Sequence, residues 1–163
     1  MGSRGSVIPF FIQKAITGVL PITDNRMTRF MITLEQAVDL VWHAFDDMSG
    51  GEIYVKKIPS MPVIDIANAV SQYSEKRVTG IRPGEKLHEQ MIGVEDSPNT
   101  FEYKDHYKIL PMIHGWSSDP SRIKAGVKVA ENFVYTSDNN SEWMSVEELQ
   151  AWIKANANRV GKI

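Results

Sequence analysis

The chain has no cysteine among its 163 residues, which excludes disulfides and thiolate metal sites and is compatible with a reducing cytoplasm. It also has no apolar run of membrane-spanning length. Residues 1–6 lack the apolar stretch of a signal peptide. These absences predict a cytoplasmic protein without a membrane partner.

The chain also lacks a large excess of either charge, because 18 basic and 20 acidic residues give a formal net charge of −2. A near-neutral chain argues against general nucleic-acid or membrane-surface binding. Hydrophobic residues make up 42% and charged residues 23%, which is typical of globular proteins. The length suffices for one domain with a real core, so we expect a single domain over residues 1–163.

Several catalytic motifs are missing from the sequence. It has no G-x-G-x-x-G or Walker loop, and no tyrosine is followed by lysine four residues later. Tyr73 and Lys76 are three residues apart and do not substitute for that pair. G-x-S-x-G and H-E-x-x-H are absent as well. The histidines are scattered, and we expect surface or satisfied core positions rather than metal ligation for His43, His88, His106 and His114.

The hydrophobic pattern predicts an α/β fold with crossover connections. Ser6 is expected to cap a largely buried helix that runs to about Gly18, with Pro9 in its first turn. Thr33 and Gln36 form a capping box before an amphipathic helix. Further predicted elements are an extended piece at 20–22, a turn at 23–25, a strand at 52–55, a helix at 63–73 and a strand at 77–81.

The rest of the chain is less regular. Strands are predicted at 101–103 and 106–110, and a loop at 117–121. Ser145 and Glu148 form a second capping box, which opens a C-terminal helix. This helix is expected to bury Val146, Leu149, Trp152 and Ile153.

Three segments combine groups that are suited to anion binding. In residues 2–7, Arg4 and Ser6 lead into a helix N-terminus, although a disordered leader with an ordinary serine cap explains the same residues. In residues 24–30, Arg26 and Arg29 could bind phosphate or form a solvated turn.

The third segment, residues 79–89, places Arg82 before a Pro-Gly turn and Glu85 after it. A guanidinium can bind a pyrophosphate, and a carboxylate can accept hydrogen bonds from ribose hydroxyls. The pair therefore favours a binding site over a plain surface turn.

Residues 1–11, 20–33 and 80–89 resemble, in this order, blocks of the inverting UDP-N-acetylglucosamine 4,6-dehydratases. These belong to the extended short-chain dehydrogenase/reductase family. Residues 139–143 are similar to the corresponding segment of one branch of this family, whose enzymes start pseudaminic acid synthesis. The resemblance implies the substrate-binding C-terminal part of an extended Rossmann-type fold, without the NADP-binding half. It also implies that the opening Met-Gly-Ser is native sequence.

The resemblance further implies roles for individual residues. Ser6 and Val7 would contact the nucleotide of a UDP-sugar, and Glu85 would bind its ribose hydroxyls. Arg82 would clamp the pyrophosphate, assisted by Arg26 or Arg29. The family's glycine-rich turn and its catalytic Tyr and Lys are missing, so no catalytic or cofactor-binding residue is predicted, although the family uses NADP.

Two interpretations of function remain open. The chain is either the UDP-sugar-binding portion of a lyase that needs a missing N-terminal half, or an inactive stand-alone binding or structural protein from a truncated gene.

We also expect self-association into a homo-oligomer. The family fold would put strand 52–55 into a parallel sheet whose other strands lie outside this chain. The alternative is that this strand pairs locally with residues 77–81.

Overall fold

The computed structural model describes residues 1–3, 5–113 and 115–160, so Arg4 and His114 lie outside the described residues. The helices are α1 (Val7–Ala15), α2 (Leu34–Asp47), α3 (Val63–Val70), α4 (Pro120–Ile123), α5 (Val146–Ala155) and α6 (Ala157–Val160). The strands are β1 (Val19–Ile22), β2 (Thr28–Phe30), β3 (Ile53–Lys56), β4 (Ser60–Pro62), β5 (Glu75–Val78), β6 (Gln90–Ile92), β7 (Thr100–Glu102), β8 (His106–Ile109), β9 (Val127–Lys128) and β10 (Tyr135–Thr136). No helix in the described ranges is long and apolar enough to cross a membrane.

The chain divides into two compact units. Unit 1 consists of Met1–Thr33, Pro59–Glu89 and Ser137–Ile163, and unit 2 consists of Leu34–Ile58 and Gln90–Thr136.

Unit 1 is built around a parallel strand pair and three helices. β1 pairs with β5 in parallel, and β2 pairs with β4 in an antiparallel arrangement. Helices α1, α3 and α5 supply most of the apolar core, which includes Ile8, Phe11, Leu20, Ile22, Met61, Ile66, Leu149 and Ile153. The parallel pair shows a crossover connection, as predicted for an α/β fold, but the strand that β5 pairs with is β1 and not the predicted strand at 52–55. The second of its strands covers residues 75–78 instead of the predicted 77–81.

The first helix departs from its prediction in two ways. It begins after Ser6 as expected but ends at Ala15, three residues early. The Ser6 side chain makes no capping hydrogen bond, and its Oγ is buried without a hydrogen-bond partner in the described part of the chain. The helix buries Ile8, Phe11 and Ile12 but leaves Phe10 partly exposed.

The predicted C-terminal capping box is confirmed. The Ser145 hydroxyl accepts a hydrogen bond from the Glu148 amide at 3.1 Å, and Glu148 Oε2 accepts one from the Ser145 amide at 2.7 Å. This reciprocal pair satisfies two amide donors where α5 begins. The helix then buries Leu149 and Ile153, while Val146 and Trp152 pack partly against the core.

Unit 2 contains a four-stranded antiparallel sheet in the order β3-β8-β7-β9. The predicted local pairing of strand 52–55 with residues 77–81 is therefore wrong, because β3 pairs with β8, with Ile53 opposite Ile109. Pairing of β3 with strands outside this chain stays a prediction. One edge of β3 is thus satisfied within the chain, which removes part of the argument for self-association. Self-association itself stays a prediction.

Two further segments of unit 2 differ from expectation. The predicted loop at 117–121 contains the end of a 3-10 turn and the start of α4, because Asp119 caps this short helix by accepting the Ser121 amide at 2.8 Å. Helix α2 forms as predicted. None of its fourteen residues, all of which the structure describes, is buried, so its apolar stripe faces solvent.

Candidate functional site

Unit 1 contains an open cavity of about 520 Å³ that is lined mainly by three segments distant in sequence, with further contributions from Met1, Pro21, Thr23 and Val63. The N-terminal end of α1 contributes Gly5, Ser6, Val7 and Ile8, and the β2 region contributes Met27, Arg29, Phe30 and Met31. The segment after β5 contributes Arg82, Glu85 and Glu89. The cavity therefore collects residues from all three segments in which the sequence suggested anion binding.

The N-terminus of α1 is one wall of the cavity. Val7 is its first residue, and Pro9, which carries no N–H, occupies its third position. The first amides of a helix have no partner inside the helix and, with the helix dipole, favour an anion. Ser6 Oγ lies at the same place without a protein partner in the described residues. The first amides of α1 are thus suited to a polar ligand here, and the buried Ser6 hydroxyl next to them has an unused hydrogen-bonding capacity.

A tight turn presents Arg82 and Glu85 to the cavity. The Glu85 amide donates to the Arg82 carbonyl at 3.0 Å, and the Arg82 amide donates to Glu85 Oε2 at 3.3 Å. Between them, Gly84 has φ of +81°, a conformation that favours glycine. Arg82 is exposed, and within the described ranges its guanidinium takes part in no ion pair. It is therefore a free cation at the cavity.

Arg29 lines the cavity, but its guanidinium is occupied by protein acceptors. Nη1 donates to the carbonyls of Thr28 at 2.6 Å and Leu87 at 3.2 Å, and Nη2 donates to the Lys86 carbonyl at 3.2 Å. Nε lies 3.7 Å from Glu89 Oε1. Arg29 thus has few donors left for a ligand.

Arg26 is not among the residues that line the cavity. Its guanidinium binds Asp24 through two hydrogen bonds of 3.0 and 2.8 Å. These bonds lower the pKa of the Asp24 carboxyl to about 2. The structure therefore brings together Ser6, Val7, Arg29, Arg82 and Glu85 and leaves Arg26 apart. Arg4, named with the first segment, lies outside the described residues.

Sequence reasoning assigned no role to Glu89 or to the apolar lining of Met27, Phe30 and Met31. Glu89 Oε2 accepts the Phe30 amide at 2.9 Å, which ties the segment after β5 to β2. Residues 85–89 are not helical, so the spacing between Glu85 and Glu89 gave no signal for a shared site. Nothing in the sequence indicated that Phe30, Met27 and Met31 would line a cavity, since apolar residues of this kind usually belong to the core.

The described residues contain no group of three or more His, Asp or Glu side chains placed to hold a metal ion. Two of the histidines, His43 and His106, are neighbours in unit 2, with ring centroids 4.6 Å apart. His88 lies in unit 1, where its Nδ1 is 2.8 Å from Thr28 Oγ1.

Comparisons with known proteins show what this chain is similar to. A family model described as polysaccharide biosynthesis protein matches residues 1–111. The UDP-N-acetylglucosamine 4,6-dehydratase (inverting) of Campylobacter jejuni is 47% identical over 156 residues, which are 91% of this chain and 47% of the relative. The UDP-glucose 4-epimerase of Rickettsia conorii is 36% identical over 155 residues, 92% of this chain and 45% of the relative.

Among solved structures, the X-ray structure of Pen from Bacillus thuringiensis matches with a TM-score of 0.76 and 31% identity. The match covers 95% of this chain and 46% of the solved one. The chain thus spans about half the length of the curated relatives and of the solved chain that it matches.

Proposed function

The chain belongs to the polysaccharide biosynthesis protein family, and from that premise we propose that its cavity binds the nucleotide of a UDP-sugar. In this proposal the chain is the substrate-binding portion of an inverting UDP-N-acetylglucosamine 4,6-dehydratase of the pseudaminic acid type, working in the cytoplasm. The relatives support it, because both groups are named for enzymes that act on UDP-sugars.

The observation that carries the proposal is the meeting of a helix N-terminus, a free arginine and a glutamate in one cavity. A pyrophosphate needs cationic and N–H donors, which Arg82 and the start of α1 at Val7 provide. Vicinal ribose hydroxyls need an acceptor, which the Glu85 carboxylate provides. Ser6 Oγ offers one more hydrogen bond to the nucleotide.

The roles proposed for this chain stop at substrate binding. NADP is the cofactor of the enzymes it resembles, but this sequence has no glycine-rich turn between a strand and a helix to hold a dinucleotide. The residues present therefore do not fit NADP, and none is assigned to it. The groups that carry out the chemistry would come from another polypeptide segment or from a partner chain.

We expect the 163-residue chain alone to produce no 4-keto sugar from UDP-N-acetylglucosamine and NADP, because it lacks a Tyr-x-x-x-Lys pair. Incubation with both compounds, followed by detection of the product, measures this. Turnover by the pure chain would overturn the assignment of a purely binding role. UDP binding without turnover separates a binding portion from a protein that serves only as structure.

Replacing Arg82 by alanine is expected to weaken UDP binding by about 1.5–3 kcal/mol, or roughly 10- to 150-fold, because a charged hydrogen-bond partner of phosphate is lost. Calorimetric titration of the chain with UDP measures the change. Arg77→Ala is the matched control, since Arg77 pairs with Glu75 and is not among the lining residues. The assignment fails if both variants bind UDP as the unaltered chain does, or if that chain does not bind UDP.

The epimerase relatives provide a second candidate, in which the same cavity serves UDP-glucose. The 36% identity of the Rickettsia conorii epimerase extends over 92% of the chain, against 91% for the dehydratase match. Both candidates place UDP at Arg82 and Glu85, so they differ only in the sugar. Titration with UDP-N-acetylglucosamine against UDP-glucose distinguishes them, and we expect the N-acetylated sugar to bind more tightly.

A further inference from the structure

Helix α2 has no buried residue, so apolar burial contributes little to its attachment to unit 2. Its last turn contains Asp46 and Asp47 and no basic residue, which is unfavourable beside the partial negative charge of a helix C-terminus. Lysines from outside the helix compensate for this. Lys124 Nζ donates to the Asp47 carbonyl at 3.3 Å, and Lys108 Nζ donates to Asp47 Oδ2 at 2.7 Å. The attachment of α2 therefore depends strongly on charged groups.

Two histidine rings meet where α2 faces the sheet of unit 2. His43 on α2 is exposed, and its ring centroid lies 4.6 Å from that of His106, the first residue of β8. His106 is only 9% exposed, and its Nε2 has no hydrogen-bond partner among the described residues. Its ring stacks on Tyr103 at 4.6 Å. An exposed imidazole on the helix thus lies against a buried imidazole on the sheet.

The surroundings of His106 disfavour a positive charge. Burial, followed by His43 and Lys108, lowers the pKa of His106 to about 4. Asp47 acts in the opposite direction, but its carboxylate already accepts hydrogen bonds from Lys108, Lys124 and Tyr54. Burial also raises the pKa values of the neighbouring tyrosines, which therefore stay neutral in acid. The titratable groups around His106 are His43 and Asp47 on α2, Tyr54 and Lys56 on β3, Tyr103 after β7, and Lys108 on β8.

We propose that the contact between His43 and His106 is acid-sensitive, so that a proton on His106 releases α2 from the sheet of unit 2 before the chain as a whole unfolds. Release moves His43 away and opens the buried imidazole to water, where it binds a proton with an ordinary pKa. No buried apolar residue of α2 is lost in this step. The inference goes beyond the proposed UDP site and does not depend on it.

The direction of the pH effect follows from proton binding. The open form takes up a proton below about pH 6.5, whereas the closed form does so only near pH 4. The contribution of His106 to attachment is therefore complete above pH 6.5 and is lost as the pH falls towards 4. Between pH 7 and 4.5 the equilibrium constant for opening of α2 should rise roughly 50-fold.

Native-state hydrogen exchange on the 163-residue chain measures this opening, after correction for the intrinsic effect of pH on exchange. The α2 amides should open roughly 50-fold more at pH 4.5 than at pH 7, and at both values more often than the amides of α5 in unit 1. Low concentrations of urea should change the opening of α2 little, because a local opening exposes little surface, but should increase that of α5.

Two results of this measurement would contradict local release. If α2 and α5 share one opening free energy and one urea dependence at pH 4.5, the opening is global. If the α2 amides are already unprotected at pH 7, the helix is not held by the contact at all.

Variants separate His106 from its neighbours, since each pH response is measured within one protein. His106→Phe keeps an aromatic ring against Tyr103 but binds no proton, so α2 should open less than about threefold more at pH 4.5 than at pH 7. His43→Gln removes the opposing imidazole, so the pKa of His106 measured by NMR should rise and the response of α2 should shrink. His88→Phe is the matched control, because it exchanges a histidine of unit 1 and should keep the full response.

Asp47 offers the competing explanation, because its carboxylate also holds α2. Hydrogen bonds keep the pKa of Asp47 well below its usual range, so its protonation acts only below the ordinary aspartate pKa of about 4. A response of α2 that begins only below pH 4, or that persists in His106→Phe, would overturn the role of the histidines. Loss of the response in His106→Phe together with its retention in His88→Phe would support that role.

Discussion

Replacing Asp47 by asparagine is expected to lower the free energy of unfolding by about 3–5 kcal/mol, because the change leaves a buried lysine without its carboxylate. The Lys108 side chain is 1% exposed, and its Nζ lies 2.7 Å from Asp47 Oδ2. The Tyr54 hydroxyl donates to the same oxygen at 2.7 Å, and Lys124 binds the other oxygen. One carboxylate therefore joins α2 to three other segments of unit 2.

The electrostatics of this cluster agree with that expectation. Burial raises the pKa of Asp47, but hydrogen bonds from Lys108, Lys124 and Tyr54 outweigh it and hold this pKa well below its usual range. Burial and the hydrogen bond to Asp47 also raise the pKa of Tyr54 well above its usual value. At neutral pH the cluster is thus a fixed carboxylate surrounded by donors.

Urea denaturation at pH 7 measures the effect of Asp47→Asn. Glu75→Gln is the control, since Glu75 forms an exposed pair with Arg77 that should contribute at most about 1 kcal/mol. Lys108→Met should cost less than Asp47→Asn, because Asp47 keeps Lys124 and Tyr54 while the buried cation is removed. The cluster is not a stabilising centre if Asp47→Asn costs no more than the control.

Acid is expected to destabilise the chain between about pH 6.5 and 4 through His106. Its side chain is buried, and its Nε2 has no hydrogen-bond partner among the described residues. The ring stacks on Tyr103 at 4.6 Å. Burial, followed by the nearby His43, lowers the pKa of His106 to about 4.

The direction follows from proton binding. Between pH 6.5 and 4 the unfolded chain protonates this histidine while the folded chain does not, so protons favour unfolding. The difference between the ordinary histidine pKa of 6.5 and the folded-state pKa of about 4 corresponds to at most about 3 kcal/mol in the free energy of unfolding. This stability is lost as the pH falls through that window. Asp47 acts in a lower window, because its pKa is depressed and its contribution is lost only below the ordinary pKa of an aspartate.

Urea denaturation of the chain and of His106→Phe at pH 7, 5.5 and 4.5 tests this expectation. Phenylalanine keeps the aromatic packing but binds no proton, so the stability of the variant should fall much less with pH. The remaining histidines are present in both proteins and cancel in the comparison. Parallel pH profiles would contradict the assignment to His106.

The sequence by itself determined the family and the local features of this protein. The α/β fold and the resemblance to inverting dehydratases of the extended short-chain dehydrogenase/reductase family are confirmed by the 47% identity and by the solved structure at a TM-score of 0.76. The Ser145–Glu148 capping box and the starts of α1, α2 and α3 were predicted correctly. The helices are predictable because their apolar residues recur at a spacing of three or four positions, and the capping box is predictable because its two residues lie three positions apart.

Only the tertiary structure decided which strands pair and which arginines remain free. The residues of β3 pair with residues of β8 that lie at least 50 positions further along the chain, and nothing local to either strand specifies such a partner. Arg26, Arg29 and Arg82 are equally plausible phosphate ligands by residue type. They differ in their partners, because Arg26 is bound to the neighbouring Asp24 carboxylate and Arg29 donates to the distant Leu87 carbonyl. The Arg82 guanidinium remains open to the cavity. A guanidinium binds whichever acceptors the fold brings within about 3 Å, and those acceptors are placed by long-range packing.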